Sequence, residues 1–413
     1  MGQITLTDEQ NAAVKMVQDN QLSVLTGAAG TGKTTVIKAV LDWAASKEMV
    51  IACAAPSGKA AKRMTEATGY HASTIHSLLG AMVDDYGRFV FSCNVDNQLE
   101  VDLIVLDEVS MVSNHLMARF LEAVTLDTIV LLVGDPNQLP SIGAGAVLRD
   151  LLVSEIVPHT RLTEIHRAGD QIVVACNKVK DGEFYDRPDI LDPDGGQNIR
   201  HIEASSHEQI QSIIAQIVCD RMPERGFDPV WDVQVLSPTN KKTLLSCESL
   251  NAVLQNRLNP VQPEKLTKGC IFRKGDKVIN TKNKSIDEDY VVNGALGEII
   301  RVSKERKELS VRFNDPTVDV VLPFTHNDLL LAYCITCHRY QGSEAPVIIV
   351  PVHSSFNFFV NRAWLYTALS RGQQIVITVG EFSAIQNAIR TRAIFERKTM
   401  LCEKLHDAFV GDI

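Results

Sequence analysis

The sequence predicts an α/β protein made of two parallel-sheet domains, with a β-hairpin arm inserted in the first and a small antiparallel β-barrel inserted in the second. Three observations carry that expectation. Short apolar runs alternate with helix-like stretches from Leu22 to Val157, the same rhythm resumes after about Gly195, and 413 residues exceed the roughly 150 typical of one domain. Apolar residues make up 45% of the chain and charged residues 22%, a globular balance, and no run of about 18 apolar residues is present to span a membrane.

In the first domain, expected at residues 1–158, the strand-like runs are Leu22 to Thr26, Val50 to Ala55, Leu103 to Asp107 and Thr128 to Gly134. Helical patterns fill Thr34 to Ser46, Gly58 to Thr68 and His115 to Val124, so a buried parallel sheet covered on both faces is expected. The rhythm breaks at about 80–101, where Tyr86, Gly87, Arg88, Phe89, Val90 and Phe91 suggest the arm. Pattern alone leaves open whether its three aromatics pack or stand exposed. The second domain, expected at 159–413, has strand patterns at Val233 to Ser237, Pro346 to Val352 and Ile375 to Val379. Its barrel, expected at about 269–325, shows in the short runs Lys277 to Thr281, Gly297 to Val302 and Leu309 to Phe313, separated by Asn293-Gly294 and charged turns.

Met1 to Gln10 is polar and carries no hydrophobic signal segment, so a cytoplasmic location is expected. The nine cysteines are odd in number and lack framework spacing, which reads as reduced thiols. Cys334 and Cys337 form a Cys-x-x-Cys before His338, but no second pair lies at zinc spacing, and a metal or redox role is disfavoured. The net charge of -9 argues against a uniformly basic surface and leaves room for a local basic groove.

The most specific motif is Gly27-Ala28-Ala29-Gly30-Thr31-Gly32-Lys33-Thr34-Thr35, a Gly-x-x-x-x-Gly-Lys-Thr loop between a strand and a helix. Glycines let backbone N–H groups close around a phosphate chain, Lys33 reaches the β and γ phosphates, and the Thr34 hydroxyl suits Mg²⁺. A chance Gly-rich turn would rarely fill every fixed position in that context. Asp107 and Glu108 end the run from Leu103, where Asp107 can hold Mg²⁺ through water and Glu108 can take a proton from the attacking water. Gly134-Asp135-Pro136-Asn137-Gln138-Leu139 brings Gln138 to the same crevice, suited to sensing a γ phosphate; a self-capped Gly-Asp-Pro turn is the alternative, favoured on turn chemistry alone. Arg167 and Arg371 lie outside the first domain's pattern. They suit guanidinium groups that another domain supplies to a phosphoryl transition state, with plain surface charge as the alternative.

Taken in order, these segments resemble the motif series of superfamily 1 helicases, most closely the RecD-like, Dda-like branch, over nearly the whole chain. The resemblance also covers Thr7 to Gln10, Ala54 to Ala61, Ser73 to His76, Gln234 to Thr239, Gly275 to Val278, Asn293-Gly294, Thr336 to Glu344 and Leu365 to Arg371. It implies two RecA-like P-loop NTPase motor domains, a strand-separating pin at the arm with Phe89 and Phe91, and an SH3-like accessory barrel. By the same resemblance Gln10 reads adenine, Lys33, Thr34, Asp107 and Glu108 handle Mg-ATP, and Gln138 couples hydrolysis to movement. Arg167 and Arg371 become arginine fingers, and Glu344 lies near the ribose. Pro56, Ser57, Thr74, His76, Thr336, His338 and Gln341 fall where the family touches single-stranded DNA. Arg339 and Tyr340 depart from the usual Lys and small residue, and 241–248 lacks the glycines often found there. The larger N-terminal extensions of some relatives are missing, so a minimal motor is expected.

The function this implies is an ATP-dependent DNA helicase that translocates 5′ to 3′ on single-stranded DNA and unwinds duplex junctions in replication, recombination or repair. A monomer is expected, with replication or recombination proteins as candidate partners and no membrane. The alternatives are an RNA-directed motor of the same superfamily and an ATP-switched strand-binding subunit of a recombination complex. A phosphotransferring kinase is a weaker third, because its chain would end before a second nucleotide-fold domain.

Overall fold

The computed structural model describes residues 6–83, 89–164, 171–188, 190–260, 270–282, 284–286, 289–291, 293–314, 317–325, 328–392, 397 and 399–411. The chain divides into two compact units, the first made of Met1–Ala168 with Phe395–Ile413 and the second of Gly169–Ile394.

The first unit is built on β1 (Leu22–Gly27), β2 (Ile51–Ala55), β3 (Ala72–Thr74), β6 (Leu103–Leu106), β7 (Ile129–Gly134) and β8 (His159–Leu162). These strands form one sheet in the order β3-β2-β6-β7-β1-β8, with every neighbouring pair parallel. The remaining two strands, β4 (Ala81–Val83) and β5 (Phe89–Phe91), pair antiparallel as the root of the expected arm. Successive residues of one strand enter opposite cores: Leu25, Val105, Leu131 and Val133 join one cluster, and Val24, Ile104, Leu106, Val130 and Leu132 join the other. That two-sided burial is why these strands read as continuous apolar runs rather than as alternation. The helices are α1 (Asp8–Asp19), α2 (Lys33–Ser46), α3 (Gly58–Thr68), α4 (Ile75–Leu78), α5 (Asn114–Glu122) and α6 (Val147–Ser154). Hydroxyl side chains start four of them, with Thr7, Ser57, Thr74 and Ser113 each accepting a hydrogen bond from a first-turn backbone N–H.

The second unit carries β9 (Ile199–Glu203), β10 (Val233–Ser237), β18 (Cys334–Thr336), β19 (Ala345–Val352) and β20 (Gly372–Gly380), all parallel, in the order β18-β10-β19-β20-β9. Its helices are α7 (Gln171–Asp181), α8 (His207–Gln216), α9 (Met222–Glu224), α10 (Cys247–Leu258), α11 (Arg362–Leu369) and α12 (Phe382–Arg390). The inserted barrel is an antiparallel sheet of β11 (Lys277–Asn280), β14 (Leu296–Ser303), β15 (Glu308–Asn314), β16 (Thr317–Pro323) and β17 (Leu329–Leu331) in the order β16-β15-β14-β11-β17, with β12 (Lys284–Ile286) and β13 (Asp289–Val291) as a separate ribbon. Its sheet therefore continues past residue 325, the expected end. Val278, Ile299, Val311, Phe313, Val320 and Leu322 fill its core. The root is bolted to α10 through Asp276, which is fully buried and accepts from Gln255 Nε2 at 2.5 Å, Asn259 Nδ2 at 2.8 Å, Arg273 N at 2.7 Å and Tyr333 Oη at 3.0 Å.

The last helix, α13 (Leu401–Gly411), packs on α6 and so belongs to the first unit, not to the 159–413 stretch in which the sequence placed it. Arg397 ties down the approach to it, donating to Ser141 Oγ at 3.1 Å and Gly145 O at 2.7 Å, and also to Ser141 O and Gly143 O. No helix among the described residues is long and apolar enough to cross a membrane.

Candidate functional site

Because every strand of the first sheet runs the same way, the loops that leave its carboxyl ends share one edge, the place where parallel α/β sheets bind ligands. Across that edge the order is the phosphate loop after β1, Gln138 after β7, Asp107 and Glu108 after β6, Pro56 and Ser57 after β2, and Thr74 and His76 after β3. Three strand steps separate β1 from β2, roughly 14 Å. The residues expected to handle phosphate and those expected to hold a strand thus lie on one rigid sheet, with the acidic pair and the glutamine between them.

At the loop, Gly30 and Gly32 adopt φ of 80° and 84°, left-handed conformations that other residues adopt only under strain. Gly27, Ala28 and Thr31 are buried, Ala29, Gly30, Gly32, Lys33 and Thr35 are half-buried, and the Thr34 hydroxyl group belongs to an exposed residue. Gly32 caps α2 without a side chain, so the positive end of that helix is open to an anion. Lys33 Nζ donates to Gly27 O at 2.7 Å and Ala28 O at 3.0 Å, which holds the ammonium over the loop. Gln10 is buried. Its Oε1 accepts from Thr7 N at 3.1 Å while Thr7 Oγ1 accepts from Gln10 N at 3.3 Å, a reciprocal cap of α1.

Asp107 N donates to Ala54 O at 3.0 Å, and Asp107 Oδ1 accepts from Glu108 N at 2.8 Å. Burial, compounded by the Glu108 carboxylate, pushes Asp107 up to about 6, against the Glu108 amide and the charges of Lys33 and Arg63. Two carboxylates held together in this way are a fit for a divalent cation, whose charge relieves both the desolvation and the mutual repulsion. Glu108 stands at φ 53°, so the chain accepts a left-handed non-glycine residue at this spot. The turn after β7 does cap itself, with Asp135 Oδ1 accepting from Asn137 N at 3.0 Å and Asn137 Nδ2 at 3.1 Å. That capping leaves Gln138 buried with an Oε1 that has no hydrogen-bond partner. Self-capping and an available amide therefore coexist.

At the far end of the edge, Pro56, Ser57, Thr74 and His76 are half-buried, and the register Ala55 to Thr74 sets the two segments side by side. The His76 ring lies 5.9 Å from that of Phe91, and Phe91 packs on the core cluster beneath the arm. Phe91 is thus part of the arm's root rather than a free aromatic. The Phe89 side chain and residues 84–88 lie outside the described residues, as does Arg167.

In the second unit the candidates separate to the two ends of the sheet. Thr336 closes β18 beside Ser237 at the carboxyl edge, and exposed His338 follows it. Glu344 and Arg371 immediately precede β19 and β20 at the amino edge, where Ala345 pairs with Gly372 and Gln373 Nε2 donates to Glu344 Oε2 at 3.3 Å. Gln341, in the segment from β18 to β19, is buried. Arg371 is also buried: its Nε donates to Thr367 O at 3.2 Å and Nη2 to Ser370 Oγ at 3.3 Å, whereas Nη1 has no partner. Tyr340, one of the departures noted above, is buried and its hydroxyl donates to Glu344 O at 2.9 Å. Lys242, in the segment short of glycines, takes φ 84°, a conformation in which a glycine would be unstrained. Cys334 and Cys337 are buried free thiols; burial raises both, Cys337 to about 12. Pattern reading missed Arg63, whose charge acts on Asp107, and Arg397, because an isolated arginine on a helix or in a tail carries no motif.

Comparison with known proteins accounts for this arrangement. Residues 5–195 match the family model described as an AAA domain, 250–313 that of the ATP-dependent RecD-like DNA helicase SH3 domain, and 331–379 that of the UvrD-like helicase C-terminal domain. The chain is 35% identical over 408 residues to the ATP-dependent RecD2 DNA helicase of Deinococcus radiodurans, covering 97% of this chain and 52% of that protein, so it spans about half of that relative's length. It is 31% identical to the RecBCD enzyme subunit RecD of Mycolicibacterium smegmatis, covering 98% of this chain and 76% of that one. Among solved structures it is similar in fold to Pif1 helicases, including one from Bacteroides in complex with ADP-AlF3 and single-stranded DNA, with a TM-score of 0.56 at 18% identity over 99% of this chain and 98% of that one. Matches to a RecD subunit across most of its length and to the RecD-like SH3 domain settle the family: the chain belongs to the RecD-like helicases of superfamily 1.

Proposed function

We propose that this protein is an ATP-driven helicase that moves 5′ to 3′ along single-stranded DNA and opens duplex at junctions. The observation that carries this reading is the shared carboxyl edge of the first sheet, where the phosphate loop after β1 and the loops after β2 and β3 are joined by those of β6 and β7. Lys33 and the open end of α2 bind the phosphate chain, and Thr34 and Asp107 would hold Mg²⁺, which would supply charge neutralisation to the phosphates. Glu108 orients the attacking water and takes its proton. Gln138, with its side-chain oxygen unspent, registers the γ phosphate. Arg371 offers its unpaired Nη1 to the charge that develops on the transferred group, with Arg167 a second candidate for that role. Gln10 and Glu344 are assigned to the base and the ribose. Pro56, Ser57, Thr74, His76, Thr336, His338 and Gln341 are assigned to the strand, with Phe89 at the arm. Nine free cysteines support a cytoplasmic site of action. The protein is proposed to act as a monomer that meets replication or recombination proteins.

The test is ATP turnover measured with no strand, with single-stranded DNA and with matched RNA, in the wild type and in Lys33→Ala. DNA is expected to stimulate the wild type, and the variant to bind strand while losing turnover by about 100-fold or more. Normal hydrolysis by the variant contradicts the site assignment, and stronger stimulation by RNA favours the RNA-directed alternative.

A further inference from the structure

We propose that Phe358 and Phe359 form a stacking platform for the bases of a single nucleic-acid strand, extending the strand-binding surface along the second unit; this rests on the strand-walking reading above. The two rings are 73% and 58% exposed and meet edge to face with centroids 5.8 Å apart. They are the only adjacent pair of exposed aromatics among the described residues. Their loop leaves the carboxyl end of β19. By parallel register that is the same sheet edge as Ser237 at the end of β10 and Thr336 at the end of β18, one and two strand positions away.

The loop holds the rings out rather than letting them fold in. Ser354 N donates to Glu381 Oε2 at 2.6 Å, and Ser355 N donates to His353 Nδ1 at 3.0 Å. Phe359 N and Val360 N donate to Phe356 O at 2.8 and 2.9 Å, and Asn361 Oδ1 accepts from Trp364 N at 3.0 Å to begin α11. Phe356 and Val360 are buried on either side of the exposed pair. A loop pinned at both ends and anchored by its own apolar residues presents two exposed rings, set at 83° to one another, whose π faces a base can stack on without sequence readout. The neighbouring loops on this edge supply the matching charge. Lys241 and Lys242 beyond β10 and Arg339 beyond β18 are exposed, and they suit a phosphate backbone.

The test is equilibrium binding of the full chain to a fluorescent single-stranded oligodeoxynucleotide and to an abasic strand with the same number of phosphates, using the wild type, Phe358→Ala/Phe359→Ala and Phe358→Trp. The double variant is expected to bind the base-bearing strand about 10-fold or more weakly and the abasic strand like the wild type. The indole of Phe358→Trp is expected to be quenched by the base-bearing strand alone. Equal affinity of wild type and double variant for the base-bearing strand, the result expected if the rings dock another protein, overturns the platform. Equal losses on both strands also overturn it. A wild type that binds neither strand overturns the strand-walking reading and the platform with it, whereas a wild type that binds with an unaltered variant overturns the platform alone.

Discussion

Gln138 and Arg371 each keep a buried polar atom without a protein hydrogen-bond partner, a condition that costs about 1–3 kcal/mol unless water or a ligand meets the atom. Both residues were singled out by sequence, yet the unpaired atoms on which their proposed roles rest could be seen only once the self-capped Asp135 turn and the Arg371 Nε bond to Thr367 O were in view. His76 shows the opposite situation. Burial holds its imidazole below the ordinary 6.5, which favours the neutral ring, so the strand contact proposed for it rests on packing and hydrogen bonding rather than on charge. A histidine with a depressed folded-state pKa adds stability that is full above 6.5 and declines as pH falls, because the unfolded chain takes up the proton more readily. His76→Gln is therefore expected to flatten the loss of stability between pH 7 and pH 5, read as the urea midpoint at each pH. An unchanged slope would place the acid sensitivity at other groups.

At the scale of elements, α13 is the part that sequence misplaced. Nothing in 395–413 announces an attachment to α6; the signal is spread over Arg397, Thr399 and a helix face that becomes apolar contact only after the first unit has formed. In the structure Arg149 Nη2 donates to Arg397 O at 2.8 Å and to Asp150 Oδ1 at 2.9 Å, Thr399 Oγ1 also donates to Asp150, and Arg397 spans the carbonyls of 141–145. These residues directly follow the Gln138 turn. Arg397→Ala is expected to leave several carbonyls short of a charged donor and to lower the stability of the first unit by roughly 2–3 kcal/mol, with Arg397→Lys restoring less than half because a point ammonium cannot span the same carbonyls. Thermal unfolding of both variants measures this; wild-type stability in Arg397→Ala would show that α13 is held by its apolar contacts alone.

For the molecule as a whole, sequence disclosed most where burial was two-sided or chemistry was local. The β1, β6 and β7 runs were legible because they enter cores on both faces, and the phosphate loop because glycine conformations and a lysine must follow one another closely. The barrel was legible through its turns, but β17 was not, since Leu329–Leu331 is three residues long and pairs with β11 about fifty positions earlier. Phe358 and Phe359 passed unnoticed because two phenylalanines in an apolar stretch read as core until Phe356 and Val360 are seen to take the interior places. What joins the legible parts is the parallel sheet, which brings residues scattered from Lys33 to Gln138 into one row along its carboxyl edge. In the proposed function, ATP turnover on this row drives travel toward the 3′ end of a DNA strand. Unwinding of duplexes bearing a single 5′ tail or a single 3′ tail, with ATP and Mg²⁺, tests that claim most directly. The 5′-tailed substrate should be opened and the 3′-tailed one left intact, whereas opening of the 3′-tailed duplex alone, or of neither while ATP is hydrolysed, would contradict it.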